Sequence, residues 1–154
     1  MLALAMDESA VKNFMGNLLR EDIFDNFDVR NVELLTTTRI TIDGKLENVD
    51  SNISAKGVFS SWKDLRPLVY TIIKSGAKPQ WIKIVFSYKA TEATTIHSNA
   101  AALFLNLTYE NNGITFTTAT SQKEFALDKS LDTIWEEWIY GLFAKLNISV
   151  TVRE

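Results

Sequence analysis

The sequence predicts an α+β protein: a twisted, largely antiparallel sheet of about five to six strands, with three helices packed mainly on one face. Three observations predict it. Three stretches repeat apolar residues at three- and four-residue spacing, the period of a helix. Five others alternate apolar and polar residues, the period of a half-buried strand. Their order, α-β-β-α-β-β-β-α-β, lacks the regular βαβ alternation that builds a parallel sheet.

The first helix is expected over Glu8–Arg20, where Val11, Phe14, Met15, Leu18 and Leu19 make one apolar stripe. Asp7 is its candidate cap. Residues 31–43 alternate throughout and predict one strand. Val32, Leu34, Ile40 and Ile42 lie on one face, and Leu35, Thr37, Arg39 and Thr41 on the other. Asp43-Gly44 then reads as a two-residue hairpin turn, with a short return strand through Leu46.

The second helix is expected over Leu65–Lys74, with Leu65, Leu68, Val69, Ile72 and Ile73 inward. Ser61 and Asp64 both offer a cap. Asp64 is preferred, because it places Pro67 at the third helical position, where no backbone donor is needed. Gly76 is the expected stop. Three strands follow, at 81–88, 102–110 and 114–120, the last two joined through Asn111-Asn112-Gly113 as a hairpin. A third helix over Lys129–Leu146 carries Leu131, Ile134, Trp135, Trp138, Ile139, Leu142, Phe143 and Leu146 on its apolar face. Asp128 stands before it as cap. Ile148, Val150 and Val152 suggest a last strand. The polar stretches Glu47–Lys56 and Ala90–Asn99 read as surface loops.

Composition narrows the function. With 154 residues, 46% of them hydrophobic, the chain suits one globular domain over 1–154 rather than a disordered segment. It has no cysteine, so disulfides, zinc–thiolate sites and cysteine nucleophiles are excluded. Its single histidine, His97, cannot supply a multi-histidine metal site. Its glycines form neither a Walker loop nor a dinucleotide fingerprint. The first residues are too briefly apolar for a signal peptide and no stretch is long enough for a membrane span, so a cytoplasmic location is expected. A net charge of -3 without any Lys/Arg run argues against nucleic acid. No cofactor, metal or catalytic residue is expected, and the chain leans towards not being an enzyme.

Several constellations have a plain reading beside the functional one. Asp22, Asp25 and Asp28, interleaved with Phe24 and Phe27, could gather a cation, but read more simply as a helix exit anchored by two rings. Glu136-Glu137 between Trp135 and Trp138 points mostly outward on a helix whose tryptophans point in. His97 lacks a nucleophile elbow and reads as a surface residue.

The second face of the sheet is the strongest functional candidate. By alternation it gathers Arg39, Trp81, Lys83 and Phe104 among threonines, and helices packed on the other side leave it open. It suits a protein partner, a second copy of the chain or a ligand, and its plain reading is a solvated face whose few apolar residues are covered by loops. The expected function is therefore a non-catalytic binding or assembly module acting through this face. The alternative is a small-molecule binder or enzyme, with a pocket between sheet and helices lined by Trp135, Trp138, Tyr88 and Tyr109.

Asp22-Ile-Phe-Asp-Asn-Phe27, Ile42-Asp-Gly44, Trp62-Lys-Asp-Leu-Arg-Pro67 and Leu127-Asp-Lys-Ser-Leu131 with Trp135 together carry a resemblance over nearly the whole chain. The sequence resembles a family of small bacterial proteins known only as a domain of unknown function. The resemblance implies a bacterial cytosolic protein and no reaction, cofactor or site. Within these blocks Arg66 stands near a helix start, where a cation opposes the dipole. It is expected to pair with Asp22 or Asp25.

Overall fold

The computed structural model describes residues 1–47 and 58–153. The elements are β1 (Ala3–Met6), α1 (Glu8–Arg20), β2 (Asp28–Leu35), β3 (Arg39–Asp43), α2 (Trp62–Ser75), β4 (Trp81–Ser87), a 3-10 turn at Ala90–Glu92 leading into α3 (Ala93–Ile96), β5 (Ala100–Glu110), β6 (Gly113–Gln122), α4 (Ser130–Lys145) and β7 (Val150–Val152). The strands form one open sheet in the order β3-β2-β4-β5-β6-β1-β7. Every pairing in it is antiparallel. The class is α+β as the pattern predicts. The sheet has seven described strands rather than five or six, and α3 adds a fourth, single-turn helix.

Two departures account for the strand count. The first is β1. Its four residues alternate Leu4 and Met6 inward, and it lies between β6 and β7. Such a short run carries little sequence signal. The second is the predicted strand over 31–43, which is a hairpin. Leu35 faces Arg39 across a three-residue turn, with the Thr36 N–H donating to the Thr38 carbonyl at 3.0 Å. The Thr36 hydroxyl bonds locally to Thr38, a habit of threonine in turns. An odd-numbered turn preserves the alternation, so Leu34 and Ile40 share a face whether or not the chain reverses.

Asp43-Gly44 is correspondingly not a hairpin turn. The Gly44 N–H donates to the Arg30 carbonyl, and the Gly44 carbonyl accepts from Ser60 N–H at 2.8 Å. A Cβ at Gly44 would lie 1.8 Å from the Val29 carbonyl oxygen, so glycine is required there by close backbone approach. In place of a return strand, Lys45 forms an isolated bridge with Phe59. The predicted loop over Glu47–Lys56 lies, beyond Glu47, outside the described residues. The second predicted loop, Ala90–Asn99, contains the 3-10 turn and α3, followed by irregular chain.

α1 has the predicted limits, and the Asp7 carboxylate accepts from Ser9 N–H. α2 starts three residues earlier than predicted, capped by Ser61, whose hydroxyl accepts from Asp64 N–H at 3.3 Å. Pro67 therefore sits inside the helix, at a cost of about 3 kcal/mol. Starting at Trp62 offsets it. That indole is fully buried and donates to the Leu18 carbonyl at 3.1 Å, and losing a buried tryptophan typically costs about 3–5 kcal/mol. Leu68, predicted inward, is 49% exposed. Gly76 follows α2 in an extended conformation. α4 begins one residue after its predicted start, with Asp128 accepting from Ser130 N–H. Asn147, at φ 58°, ends it in the left-handed region. Ile134, predicted inward, is on the exposed side.

The core lies between the sheet and the three long helices. Phe14 of α1 meets Phe116 of β6 edge-on, Trp62 of α2 meets Phe86 of β4, and Phe143 of α4 meets Phe116. Phe24 and Phe27, at the exit of α1, both pack on Phe86. The hairpin at Asn111-Asn112 puts both asparagines at positive φ, 53° and 61°, the geometry of a type I′ turn, and Glu110 pairs with Gly113 across it.

Candidate functional site

Register places the four predicted site residues on one sheet surface. Leu35 pairs with both Arg39 and Trp81, and Glu33 pairs with Lys83, which in turn pairs with Thr108 opposite Thr115. Trp81, Lys83 and Phe104 are half-buried, and Arg39 is exposed. The rings by which the three long helices meet the sheet, Phe14, Trp62 and Phe143, pack on its opposite face. Neither Trp81 nor Phe104 is deeply buried.

Two arginine–aromatic arrangements organise this surface. The Arg39 guanidinium lies 5.6 Å from the centre of the Trp81 ring and makes a 3.3 Å ion pair with Glu33. At the far end, Arg30 lies 3.8 Å from the centre of Phe59 and 5.1 Å from that of Phe104. Its Nε donates to the Ser87 hydroxyl at 3.1 Å. Arg30 occupies a β-bulge between Val29 and Asn31, which turns it and Asn31 towards the same surface. Strict alternation hides that placement, so Arg30 is absent from the sequence-level candidates. Phe59 is absent too, because it lies outside the named strands and pairs with Lys45 through an isolated bridge.

This far end is partly closed. Asp28, Ser87 and Ala102 are buried there. Burial lowers the Arg30 guanidinium pKa, opposed by the charge of Asp28. Burial likewise raises the Asp28 carboxyl above its usual 3.8, opposed by the Ala90 N–H that donates to it and by Lys89 and Arg30. The surface thus offers cations held on ring faces, half-buried rings and rows of threonine hydroxyls.

Other predicted features resolve as structure. Arg66 grips Asp25 with two donors, Nε to Oδ1 at 2.9 Å and a terminal nitrogen to Oδ2 at 2.7 Å. That contact, with Asp22 and Glu21 nearby, raises the Arg66 pKa. Asp25 is therefore spent on Arg66 and Asp28 is buried in β2, so the aspartate triplet does not converge on one point. Among the described residues no group of three or more His, Asp or Glu side chains is placed to hold a metal ion. His97 accepts from Asn99 N–H at Nδ1 and meets the Ser130 hydroxyl through Nε2 at 3.0 Å. With Nδ1 accepting, a neutral ring carries its proton on Nε2 and donates to Ser130, which donates onward to Asp128. Those bonds hold the Asp128 carboxyl below its usual pKa. The serine lies between histidine and aspartate rather than at the end of a relay, so the chain of bonds ties the α3–β5 connection to the start of α4.

The four residues named for a pocket do not line one cavity. Trp135 is fully buried, donates to the Phe104 carbonyl at 2.8 Å and stacks on Trp138 at 5.1 Å. Trp138 and Tyr88 border a cavity of about 410 Å³ with Phe27, Lys89 and Lys145. Tyr109 borders a separate groove of about 490 Å³ between α1, the end of α2 and the β5–β6 hairpin.

A family model described as "Family of unknown function (DUF5721)" matches residues 17–151. The chain belongs to this family. The matched span begins near the end of α1, takes in β2 to α4 and ends within β7, so Arg39, Trp81, Lys83 and Phe104 all lie inside the family's region, while β1 lies outside it. The blocks at 22–27, 42–44, 62–67 and 127–131 fall within that region, and each has a structural role. Phe24 and Phe27 fill the core, Gly44 permits a backbone crossing, Trp62 and Arg66 fasten α2, and Asp128 fixes the start of α4. No match is found among curated proteins or among solved structures. Among the described residues no helix is long and apolar enough to cross a membrane.

Proposed function

We propose that the chain is a non-catalytic binding or assembly module that engages a protein surface through the open sheet face. The observation that supports this reading is the pair of arginine–aromatic arrangements, Arg39 on Trp81 and Arg30 between Phe59 and Phe104, on a face the long helices leave uncovered. Arginine and aromatic side chains are the residues that concentrate binding energy at protein interfaces, and stacking holds both in place beforehand. A second copy of the chain is the first partner to test. The reading is of a bacterial cytoplasmic protein whose partners are neither nucleic acid nor membrane. The net charge of -3 supports that, since phosphate binding needs concentrated basic charge.

Sedimentation over a wide concentration range tests it. The mass of the wild-type chain is expected to rise with concentration, and Trp81→Glu or Phe104→Glu to weaken that rise by removing the sheet-face contact, without loss of fold. A mass that never rises removes a second copy as the partner, and a rise that neither substitution weakens overturns the sheet-face reading.

One observation favours a second reading, that of a small-molecule binder. The cavity bordered by Tyr88 and Trp138 has aromatic walls, and Lys89 and Lys145, against the one carboxylate Glu92, leave its lining with a surplus positive charge that suits a planar anion. Its test is tryptophan fluorescence against aromatic carboxylates, where saturable quenching lost in Trp138→Leu supports it and a flat titration removes it.

A further inference from the structure

The connection between β6 and α4 holds two large apolar side chains out in solvent. Phe125 is 86% exposed and Leu127 85%. The backbone that carries them is clamped. The Asn99 side-chain amide accepts from Glu124 N–H at 3.0 Å and donates to the Glu124 carbonyl at 2.8 Å. The Gln122 amide repeats the arrangement on Ala126, accepting at 3.1 Å and donating at 3.2 Å. Asn99 is itself fixed, its N–H donating to His97 Nδ1 and its carbonyl accepting from Lys123 N–H. Residues 124 and 126 are thus tied to the body of the protein while 125 and 127 are turned outward. The clamp orders two residues that bury nothing in their own chain, so its benefit lies in presenting them. A preorganised apolar projection loses less entropy on docking than a slack one.

The other end of the same sheet carries the matching concavity. The groove beside the β5–β6 hairpin has an apolar floor of Val11, Met15, Ile73 and Tyr109, and Lys12 and Lys78 stand on its rim. Carboxylates flank the projection, Glu124 on one side and Asp128 on the other, opposite in sign to those lysines. The one acid on the rim, Glu8, has Lys123 and Lys129 to meet on the projection's side. β5 runs from Ala100, beside the clamp, to the groove at Tyr109, a separation of about 30 Å at about 3.4 Å per residue. A chain therefore cannot fill its own groove.

We propose that Phe125 and Leu127 of one copy seat in the groove of a second copy. The contact joins two different patches, so each added copy leaves one free projection and one free groove, and assembly continues as an open chain or closes as a ring. Two anchoring side chains cover far less than the roughly 1,200–2,000 Å² of a stable interface, so the association is weak and grows at high concentration.

The test uses the full chain in a Trp81→Glu background, which removes any contact through the sheet face and lets the two proposals fail separately. Light scattering is expected to show a mass rising past that of a dimer. A projection variant, Phe125→Asp with Leu127→Asp, and a groove variant, Met15→Glu, are each expected to stay monomeric. Mixed one to one, they are expected to give a dimer and nothing larger, because one intact projection and one intact groove remain. Lys12→Glu with Lys78→Glu leaves the floor untouched and replaces Met15→Glu should that variant fail to fold. A parent that stays monomeric up to its solubility limit overturns the proposal. So does growth that survives the projection variant, or a mixture of folded variants that remains monomeric.

Discussion

On one face of the sheet Phe86, Phe116 and Leu105 are fully buried beneath helices. On the other, Trp81 and Phe104 stay half-buried beside arginines. The same period-two alternation produces both faces, and both hold large rings. What differs is the neighbour. Core rings meet other rings edge-on at 5–6 Å, as in Phe24 on Phe86 and Phe14 on Phe116, and their gain comes from leaving water. Outer rings meet guanidinium groups, which keep their own contact with solvent. The first arrangement can be completed within the chain. The second is left partly open among the described residues.

The largest effect should come from breaking the core side. Trp62→Ala removes a fully buried ring and leaves the Leu18 carbonyl without its indole donor. A loss of about 3–5 kcal/mol is expected in urea unfolding. Trp81→Ala, an equal change of side chain on the open face, should cost under about 1 kcal/mol. Similar losses at the two positions would show that the open face holds the fold together, and the contrast between the faces would fail.

Next in size is the link between the exit of α1 and α2. Arg66→Ala removes two charge-assisted hydrogen bonds and leaves Asp25, with 11% of its side chain accessible, without that partner. A cost of about 1–3 kcal/mol is expected, between the values for exposed and buried pairs. Asp25→Ala combined with Arg66→Ala should cost less than the two single losses added together.

Asp28 gives a smaller, pH-dependent effect at the closed end of the open face. Burial holds its folded pKa above 3.8, so the folded state binds more protons than the unfolded state between those two values. The stabilisation from protonated Asp28 is full below 3.8 and is lost as pH rises through the folded pKa. The amide introduced by Asp28→Asn keeps an acceptor for Ala90 N–H and carries no charge. The stability of this variant relative to wild type should therefore increase from about pH 3 towards about pH 7 in parallel denaturant titrations. A difference that stays flat would place the carboxylate in a wetter setting than its burial indicates.

The faces were largely legible in the sequence, while the turns were not. Val32, Leu34, Ile82, Ile84, Leu103 and Leu105 are buried as alternation requires, because side-chain direction follows from the pleat alone. The reversal at Thr36–Thr38 escaped because a three-residue turn keeps the phase. The start of α2 was misplaced because local rules weigh Pro67 heavily and cannot weigh the burial of Trp62 against it. Arg66–Asp25 was legible because a cation at a helix start needs a partner and acids stood nearby. Arg30 and Phe59 were not, since one sits on a bulge and the other on a single bridge, and neither leaves a periodic trace.

The smallest effect sharpens the comparison most. A double-mutant cycle between Arg39 and Trp81 should return a coupling of about 0.5–1 kcal/mol, the range of a cation–π contact at an accessible site. Arg39 also pairs with Glu33, so Arg39→Met must be measured with Glu33→Gln present in every member of the cycle. If the coupling is that small, the stack contributes little to folding, and its ordered geometry is better explained by what it presents outward. If it reaches about 2 kcal/mol, the guanidinium is desolvated on the ring in the free chain, the surface is closed without a partner, and the open face is one more part of the core.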